Sequence, residues 1–252
     1  GVGISQTGIS RMMPGLPLGH YYGYKTDGIY QTQAEIDALD AAAFALHGND
    51  INGKKEVYHT IADIAPGDLR FVDMNGDGQI TADDRTNIGD PIPDFEMGLN
   101  IGFSYKNFDF SASAFASIGH ELVRDYERKD AYANRGTYML RRWQGSGTSN
   151  SVPRAVNGAN INTDFFNDFH VEDASYVRLQ NVQIGYNFTD LLGENSSVDN
   201  FRIYVSGNNL FTITDYNGYD PSANTGAPLG GGIDKGFYPI ASTYLLGVNL
   251  NF

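Results

Sequence analysis

The chain contains no cysteine and a single tryptophan among its 252 residues. Without cysteine it has no disulfide, no thiolate nucleophile and no cysteine-ligated zinc or iron–sulfur site. It also lacks any run of about 20 apolar residues, the length that a membrane-spanning helix requires. Basic residues are scarce: 17 Lys and Arg stand against 30 Asp and Glu, so the formal net charge is −13. This balance argues against a nucleic-acid partner, because phosphate binding needs a basic face.

Glycine and aromatic residues are abundant, with 30 Gly, 16 Tyr and 15 Phe. This composition favours strands and turns over helices and predicts a mainly β protein. The chain begins GVGISQTGIS, without a basic or an apolar segment, so we expect the signal peptide to be absent.

The segment 94–105 alternates without a break between apolar and small or polar residues. Such a period of two over twelve residues predicts a strand with one apolar and one polar face. Its length suits a membrane-spanning strand of about 9–11 residues better than the usual strand of about 5–6. Lys106 and Asn107 then form a two-residue hairpin connection to a second long strand at 108–117.

Three further segments have strand composition and similar length, at 176–188, 201–211 and 244–252. In the first of these, the apolar residues change phase between Leu179 and Val182. An extra residue in a strand produces such a change, so we predict a β-bulge near Asn181.

The connections between the predicted strands alternate between short and long. Outer-membrane barrels join their strands by short periplasmic turns and long extracellular loops. This rule places 106–107 and 189–200 in the periplasm with the C-terminus, and 118–175 and 212–243 outside the cell. By the same alternation, residues 1–93 form an extracellular region of loops and strands, followed by the barrel strands of residues 94–252.

A short helix is predicted within the first region, over 32–46. Thr32 stands at the N-cap position and Glu35 three residues later, which is the spacing of a capping box.

The sequence DMNGDGQITADD, at 73–84, has the spacing of a calcium-binding loop. In such loops alternate oxygen ligands converge on one cation, and a glycine at the sixth position, here Gly78, permits the sharp turn. Position 12 carries Asp rather than Glu, as in dockerin-type loops. The alternative is a hydrated turn without a metal. The candidate calcium ligands are Asp73, Asn75, Asp77, Gln79 (through its carbonyl) and Asp84.

The sequence contains no catalytic motif that we could identify. The five histidines show neither HExxH nor HxH spacing, there is no GxSxG, and the glycines at 230–232 lack the GK[ST] of a phosphate-binding loop. We therefore expect the protein not to be an enzyme.

Several stretches, in their order along the chain, resemble the C-terminal end of SusC/RagA-family TonB-dependent transporters. The resemblance covers nearly all of the chain, and the stretches that carry it lie at 15–32, 66–115, 141–155, 169–188, 201–214 and 242–252.

This resemblance implies an all-β fold: the C-terminal strands of a large antiparallel transmembrane β-barrel of about 22 strands, with long extracellular loops and short helices in those loops. It also implies import of oligosaccharides or peptides across the outer membrane, with a SusD-like surface lipoprotein and TonB as partners and lipid around the barrel. Phe252 would be part of the signal that the barrel-assembly machinery reads. The plug domain and the TonB box of such transporters have no counterpart in this sequence.

One alternative is a secreted calcium-dependent carbohydrate-binding or adhesion module, built as a β-sandwich. Its apolar strand faces would pack against each other, and its connections would not need to alternate in length. A glycosidase would need two carboxylates at a defined separation, and the order of residues marks no such pair.

Overall fold

A computed structural model describes residues 5–127, 135–157, 160–192, 197–224, 226 and 229–252. The described strands are β1 Ser5–Thr7, β2 Ser10–Met12, β3 His20–Gly23, β4 Thr26–Ile29, β5 Leu69–Phe71, β6 Thr86–Asn87, β7 Phe95–Tyr105, β8 Phe108–Ile118, β9 Glu121–Arg124, β10 Val171–Asp173, β11 Tyr176–Asn187, β12 Asn200–Thr214, β13 Ile233–Asp234 and β14 Thr243–Asn251. The α-helices are α1 Gln33–His47 and α2 Ile161–Asp164. Short 3₁₀ helices lie at Ala82–Asp84, Thr137–Arg141, Asp168–His170 and Thr189–Leu191. A search of the described helices found none with the length and apolar character needed to cross a membrane.

The chain divides into two compact units. The loop unit comprises residues 1–91, 122–172 and 224–235, and the sheet unit comprises 92–121, 173–223 and 236–252.

The sheet unit is built on one antiparallel sheet with the strand order β14-β12-β11-β8-β7. Taken in chain order, the five strands of this sheet are each paired with the next. A tight hairpin connects β7 to β8 through Lys106, whose φ is 53°. The observed strands match the five predicted segments to within one or two residues at most ends. The exception is β12, predicted over 201–211, which continues to Thr214 because its last residues pair with the start of β11.

The predicted bulge in β11 is confirmed. The register of β11 shifts between Leu179 and Asn181 against both of its neighbours. Because one extra residue reverses the alternation, Leu179 and Val182 point to the same face, opposite Ala114 and Ala112 of β8.

The predicted helix is also confirmed, as α1. The Thr32 side chain accepts a hydrogen bond from the Glu35 backbone, and the Glu35 carboxylate accepts one from the Gln31 backbone at 3.0 Å. The helix ends at Gly48, whose φ of 73° lies in the left-handed region.

The loop unit has its own hydrophobic core. Tyr24 and Phe71 stack with their ring centroids 4.7 Å apart, and Ile80 is fully buried among them. The buried residues of this cluster are Tyr24, Ile29, Leu69, Phe71, Ile80 and Ile161.

A buried carboxylate joins distant segments of the loop unit. Asp68 is fully buried and accepts two hydrogen bonds from the Arg154 guanidinium, at 2.7 and 3.0 Å. It also accepts one from the Asn162 amide and one from the Ala65 backbone. This set ties residues 65–68 to 154–162, because a paired and fully bonded charge is tolerated in a core whereas an unpaired one is not.

We therefore predict that Asp68→Ala destabilises the loop unit by about 1–3 kcal/mol, because it leaves the buried Asn162 amide without its acceptor and the Arg154 guanidinium to be only partly solvated. Hydrogen exchange at the Leu69 amide, which donates to Asn162, would measure the loss. The control is Asp27→Ala, which removes an exposed ion pair with Arg70 and should cost about 0–1 kcal/mol. Equal effects of the two substitutions would contradict the prediction.

Candidate functional site

The five long strands of the sheet unit place most of their apolar side chains on one common face. In an antiparallel sheet, directly paired residues point to the same side, so the register carries the alternation from strand to strand. The apolar face consists of Phe95, Met97, Leu99, Ile101, Phe103, Tyr105, Phe108, Phe110, Ala112, Ala114, Ala116, Ile118, Val177, Leu179, Val182, Ile184, Tyr186, Ile203, Val205, Phe211, Ile213, Tyr244, Leu246, Val248 and Leu250.

This face is exposed. Leu99, in the middle of β7, is 51% exposed, and Leu246 in β14 is 75% exposed. Within the described part of the sheet unit, no second sheet covers it. A contiguous apolar surface of this size contacts either lipid or another protein. An eleven-residue strand is about 36 Å long, and at a tilt of about 45° it spans about 25 Å, the height of the apolar band of an outer-membrane barrel.

Aromatic rings cluster at the end of the sheet where the connections are short. The rings of Phe108 and Tyr186 meet edge to face with their centroids 4.6 Å apart, and those of Tyr186 and Phe188 do the same at 4.6 Å. The ring centroids of Phe188 and Phe201 are 5.3 Å apart. Aromatic belts of this kind mark the interface between a bilayer and water.

The opposite face of the sheet is mainly polar, although it also carries Phe115, Tyr204 and Leu245. An ion pair on this face spans three strands. Arg202 of β12 donates to Asp109 of β8 at 2.8 Å, across β11. Gly185 of β11 lies beneath the pair, and a Cβ there would be 2.5 Å from an Asp109 oxygen. The absence of a side chain at Gly185 leaves room for the ion pair, and a Cβ there would make Arg202 and Asp109 shift.

A second ion pair anchors a long loop to the same polar face. Arg178 of β11 donates to Asp220 at 2.6 Å, and both side chains are over nine-tenths buried. Ser222 and the Ile240 backbone also donate to Asp220. Burial by itself would raise the pKa of Asp220, but these hydrogen bonds outweigh it and hold the pKa below its usual value.

The calcium-type loop lies in the loop unit and is folded by its own side chains. Asp73 accepts hydrogen bonds from the Gly76 and Gly78 backbones, both at 2.7 Å. Asp77 accepts one from the Gln79 backbone at 2.9 Å, and Asn75 donates to the other Asp77 oxygen at 3.0 Å. Gly78 has a φ of 84°, as the sharp turn requires.

Asp84, the predicted last ligand, is placed differently from the other four. It is fully buried, and its carboxylate accepts from the Met74 backbone at 2.9 Å and from the Thr81 backbone at 2.7 Å. The second bond makes Asp84 part of a capping box with Thr81. Among the described residues, no three His, Asp or Glu side chains gather in an arrangement that could hold a metal ion.

Sequence reasoning missed both ion pairs of the sheet unit and the capping role of Asp84. The T-x-x-D spacing of Thr81 and Asp84 carries the same capping signal that identified α1. Asp109 and Arg202 could also have been found, as charged residues in strands whose polar positions are otherwise mostly small or uncharged.

Comparison with known proteins gives relatives along almost the whole chain. It is 36% identical over 247 residues to TonB-dependent receptor P3 of Formosa agariphila, covering 94% of this chain and 22% of that receptor. It is 31% identical over 188 residues to TonB-dependent receptor SusC of Bacteroides thetaiotaomicron, covering 74% of this chain and 18% of that receptor. The chain thus spans about a quarter or less of the length of these relatives, and no family model matches it.

The fold is found in solved structures. The RagAB peptide importer in its open-open state matches all of this chain and 24% of the matched chain, with a TM-score of 0.65 and 20% identity. The RagAB peptide transporter matches 97% of this chain with a TM-score of 0.64 and 21% identity. These matches confirm the predicted fold class, antiparallel strands that form part of a larger barrel.

We predict that Asp220→Ala detaches the loop that follows β12 from the sheet. The substitution leaves the Arg178 guanidinium buried without a counter-ion, which should destabilise the folded state by about 3–5 kcal/mol. Proteolysis of residues 215–223 in folded protein should become faster. Ser222→Ala is the control: it removes a hydroxyl that donates to Asp220 and accepts from Arg178 but leaves the two charges paired, so it should cost less, about 1.5–3 kcal/mol. Because the folded pKa of Asp220 is lowered, the anchor is intact above the ordinary Asp pKa of about 3.9 and weakens as the pH falls through the folded value. Unchanged proteolysis in Asp220→Ala would contradict this.

Proposed function

This chain belongs to the TonB-dependent receptors of the SusC/RagA type, as its resemblance predicted, and we propose that its sheet unit forms five strands of the wall of an outer-membrane transporter. TonB-dependent receptors are outer-membrane proteins; they are solute transporters, not enzymes. We assign no catalytic role to any residue of this chain.

The observation that carries the proposal is the contrast between the two faces of the sheet. One face carries exposed apolar side chains on all five strands, while the other bears the Asp109–Arg202 ion pair and side chains that are mostly small or polar. Charged pairs are favoured where water or protein surrounds them and disfavoured in lipid. The apolar face therefore contacts lipid and the polar face lines the interior of the barrel.

The proposed orientation of the sheet across the membrane is argued from the positions of the connections between its strands. The β7–β8 turn, the β11–β12 connection and the end of β14 all lie at the aromatic end of the sheet, since Phe108 pairs with Tyr186 and Phe201 with Leu250. Short connections face the periplasm in outer-membrane barrels. We place the C-terminus there and the long loops, with the calcium-type loop, outside the cell.

The imported substrate is an oligosaccharide or a peptide, and the partners are a SusD-like lipoprotein at the outer surface and TonB at the inner. Support comes from the relatives: the chain resembles SusC in sequence, and its fold is that of a peptide importer, RagAB.

A secreted β-sandwich module is less well supported. Such a module would bury its apolar strand faces against each other. Leu99 and Ile101 of β7 are instead about half exposed, and so are Val205 of β12 and Val248 of β14 at the other side of the sheet.

The calcium-type loop is proposed to bind Ca²⁺ through Asp73, Asn75, Asp77, the Gln79 carbonyl and Asp84. Asn75 and Asp77 already hydrogen-bond to each other, and Asp73 accepts from the backbones of Gly76 and Gly78 in the same turn, which supports the proposal that the loop is folded as a calcium loop requires. A carboxylate has about four acceptor sites, so Asp84 retains capacity beyond its two backbone hydrogen bonds. The ion would neutralise part of this acidic segment and stiffen an extracellular loop.

The lipid-facing assignment predicts different effects for two neighbouring residues of β7. Leu99→Arg should destabilise the barrel by about 2–4 kcal/mol, the cost of a basic residue facing the middle of a bilayer. Asn100→Arg adds the same charge to the polar face and should have little effect. The measurement is the folded, protease-resistant fraction of the whole receptor after insertion into lipid vesicles, as a function of urea. If Asn100→Arg lost more stability than Leu99→Arg, the lipid-facing and interior faces of the sheet would have been assigned the wrong way round.

Calorimetric titration with Ca²⁺ tests the loop. We expect saturable binding that is lost in Asp73→Ala and in Asp77→Ala, since each removes a charged oxygen ligand. Asp50→Ala, an acidic residue of another turn in the loop unit, should bind Ca²⁺ unchanged. Absence of heat with the parent protein would refute the site without affecting the assignment of the sheet.

A further inference from the structure

The end of α1 contacts the calcium-type loop of residues 73–84. His47 Nε2 lies 2.8 Å from the Asp77 carbonyl oxygen, and it carries the proton in this contact because a carbonyl can only accept. The preceding residue, Leu46, lies against Gly78, where a Cβ would be 2.7 Å from Leu46 Cδ1. Neither His47 nor Leu46 is one of the candidate calcium ligands, so these contacts reach the loop from outside the ligand set.

The peptide unit between Asp77 and Gly78 is held from both sides. Its carbonyl accepts the hydrogen bond from His47, and its N–H donates to Asp73 Oδ2 at 2.7 Å. A peptide unit is planar and rigid, so the direction of its carbonyl fixes the direction of its N–H. The His47 imidazole thereby helps to orient the carboxylate of Asp73, the first candidate ligand of the loop.

A second support holds the next residue of the loop. The Gln79 side-chain amide donates to Glu56 Oε2 at 3.0 Å and to the Val57 carbonyl at 3.1 Å. The Gln79 backbone carbonyl, which is the candidate ligand, accepts no hydrogen bond from the described residues. The side chain of Gln79 therefore fixes the residue while its carbonyl oxygen stays available to a cation.

The helix that carries His47 is itself anchored. Asp40 of α1 accepts a hydrogen bond from the Tyr58 backbone at 2.9 Å. The last turn closes where the Gly48 N–H donates to the Phe44 carbonyl at 2.8 Å. A histidine in a last turn commonly interacts with the final carbonyls of its own helix. His47 instead donates to a carbonyl 30 residues further along the chain, so it connects this turn to the loop.

We propose that His47 is a positioning residue for the calcium-type loop and that Ca²⁺ binding is thereby coupled to the end of α1. This inference rests on the proposed Ca²⁺ site and adds to it a residue that is not a ligand. Ca²⁺ takes oxygen ligands, and the imidazole acts by holding the Asp77–Gly78 peptide unit. Coupling between two sites is reciprocal, so Ca²⁺ must in turn stabilise the last turn of α1.

Two variants of His47 separate the N–H donor from the ring. His47→Phe keeps a ring without a donor, and His47→Gln keeps an N–H at the end of a side chain of similar length. The measurement is calorimetric Ca²⁺ titration of the whole receptor in detergent. We expect His47→Phe to weaken binding about tenfold, the effect of one lost hydrogen bond, and His47→Gln to restore most of the affinity. His47 is exposed, so both variants are expected to fold.

Gln33→Ala is the matched control. Gln33 lies in the first turn of α1, where its side chain donates to Asp37 at 2.9 Å. The substitution removes one exposed side-chain hydrogen bond from the same helix, at the end opposite to His47. Its Ca²⁺ affinity should equal that of the parent.

Amide hydrogen exchange measures the coupling from the side of the helix. In the parent, saturating Ca²⁺ should slow exchange of the Gly48 N–H, because this amide closes the last turn of α1. In His47→Phe the slowing should be lost, even at Ca²⁺ concentrations that fill the loop. A purely structural role of His47 would instead speed this exchange equally with and without Ca²⁺.

The metal site and the positioning role fail in different ways. If the parent takes up no Ca²⁺, both are refuted. If the parent binds Ca²⁺ and His47→Phe binds it as tightly, the site stands and the positioning role is refuted. The role is also refuted if His47→Gln binds as weakly as His47→Phe, or if Gln33→Ala weakens binding to the same extent.

Discussion

The backbone hydrogen bonding between β7, β8, β11, β12 and β14 is the constraint on which the sheet unit depends. In lipid every backbone N–H and C=O must find a partner within the protein, since each unsatisfied group costs several kcal/mol. The ladder is continuous from β7 to β14, and at the bulge an Asn181–Asn208 side-chain hydrogen bond of 2.7 Å links the two strands whose register shifts. Within the described residues, β7 and β14 are each paired on one side only. The proposed wall therefore requires further strands at both edges.

The bulge shows how far alternation could be followed from the sequence alone. The phase change between Leu179 and Val182 predicted it, because period two is strict and only an extra residue restores a common face. The ends of the strands were less predictable, as the extension of β12 to Thr214 shows. Residues 212–214 alternate between polar and apolar side chains, a pattern that does not by itself tell a paired segment from an unpaired one. Only the pairing with β11 determines where β12 ends.

The parts that sequence reasoning missed are contacts between residues far apart in the chain. Asp68 and Arg154 are 86 residues apart, and Arg178 and Asp220 are 42 apart. No periodicity connects such pairs, and an acidic chain offers many equivalent carboxylates for each guanidinium. The local signals were reliable for the opposite reason: the capping residues of α1 and the turn at Gly78 interact within a few residues, where spacing determines geometry.

The same loop unit uses its carboxylates in two opposed ways, and this difference separates structure from candidate function. Asp68 is fully buried, and its oxygens accept hydrogen bonds from the Arg154 guanidinium, the Asn162 amide and the Ala65 backbone. A carboxylate satisfied in this way stabilises the fold and has little left to offer a ligand. Asp77 of the calcium-type loop is instead exposed, and the hydrogen bonds that its side chain accepts come from within the same loop. The Asp77 carboxylate therefore stays accessible to a cation, as the proposed calcium site requires.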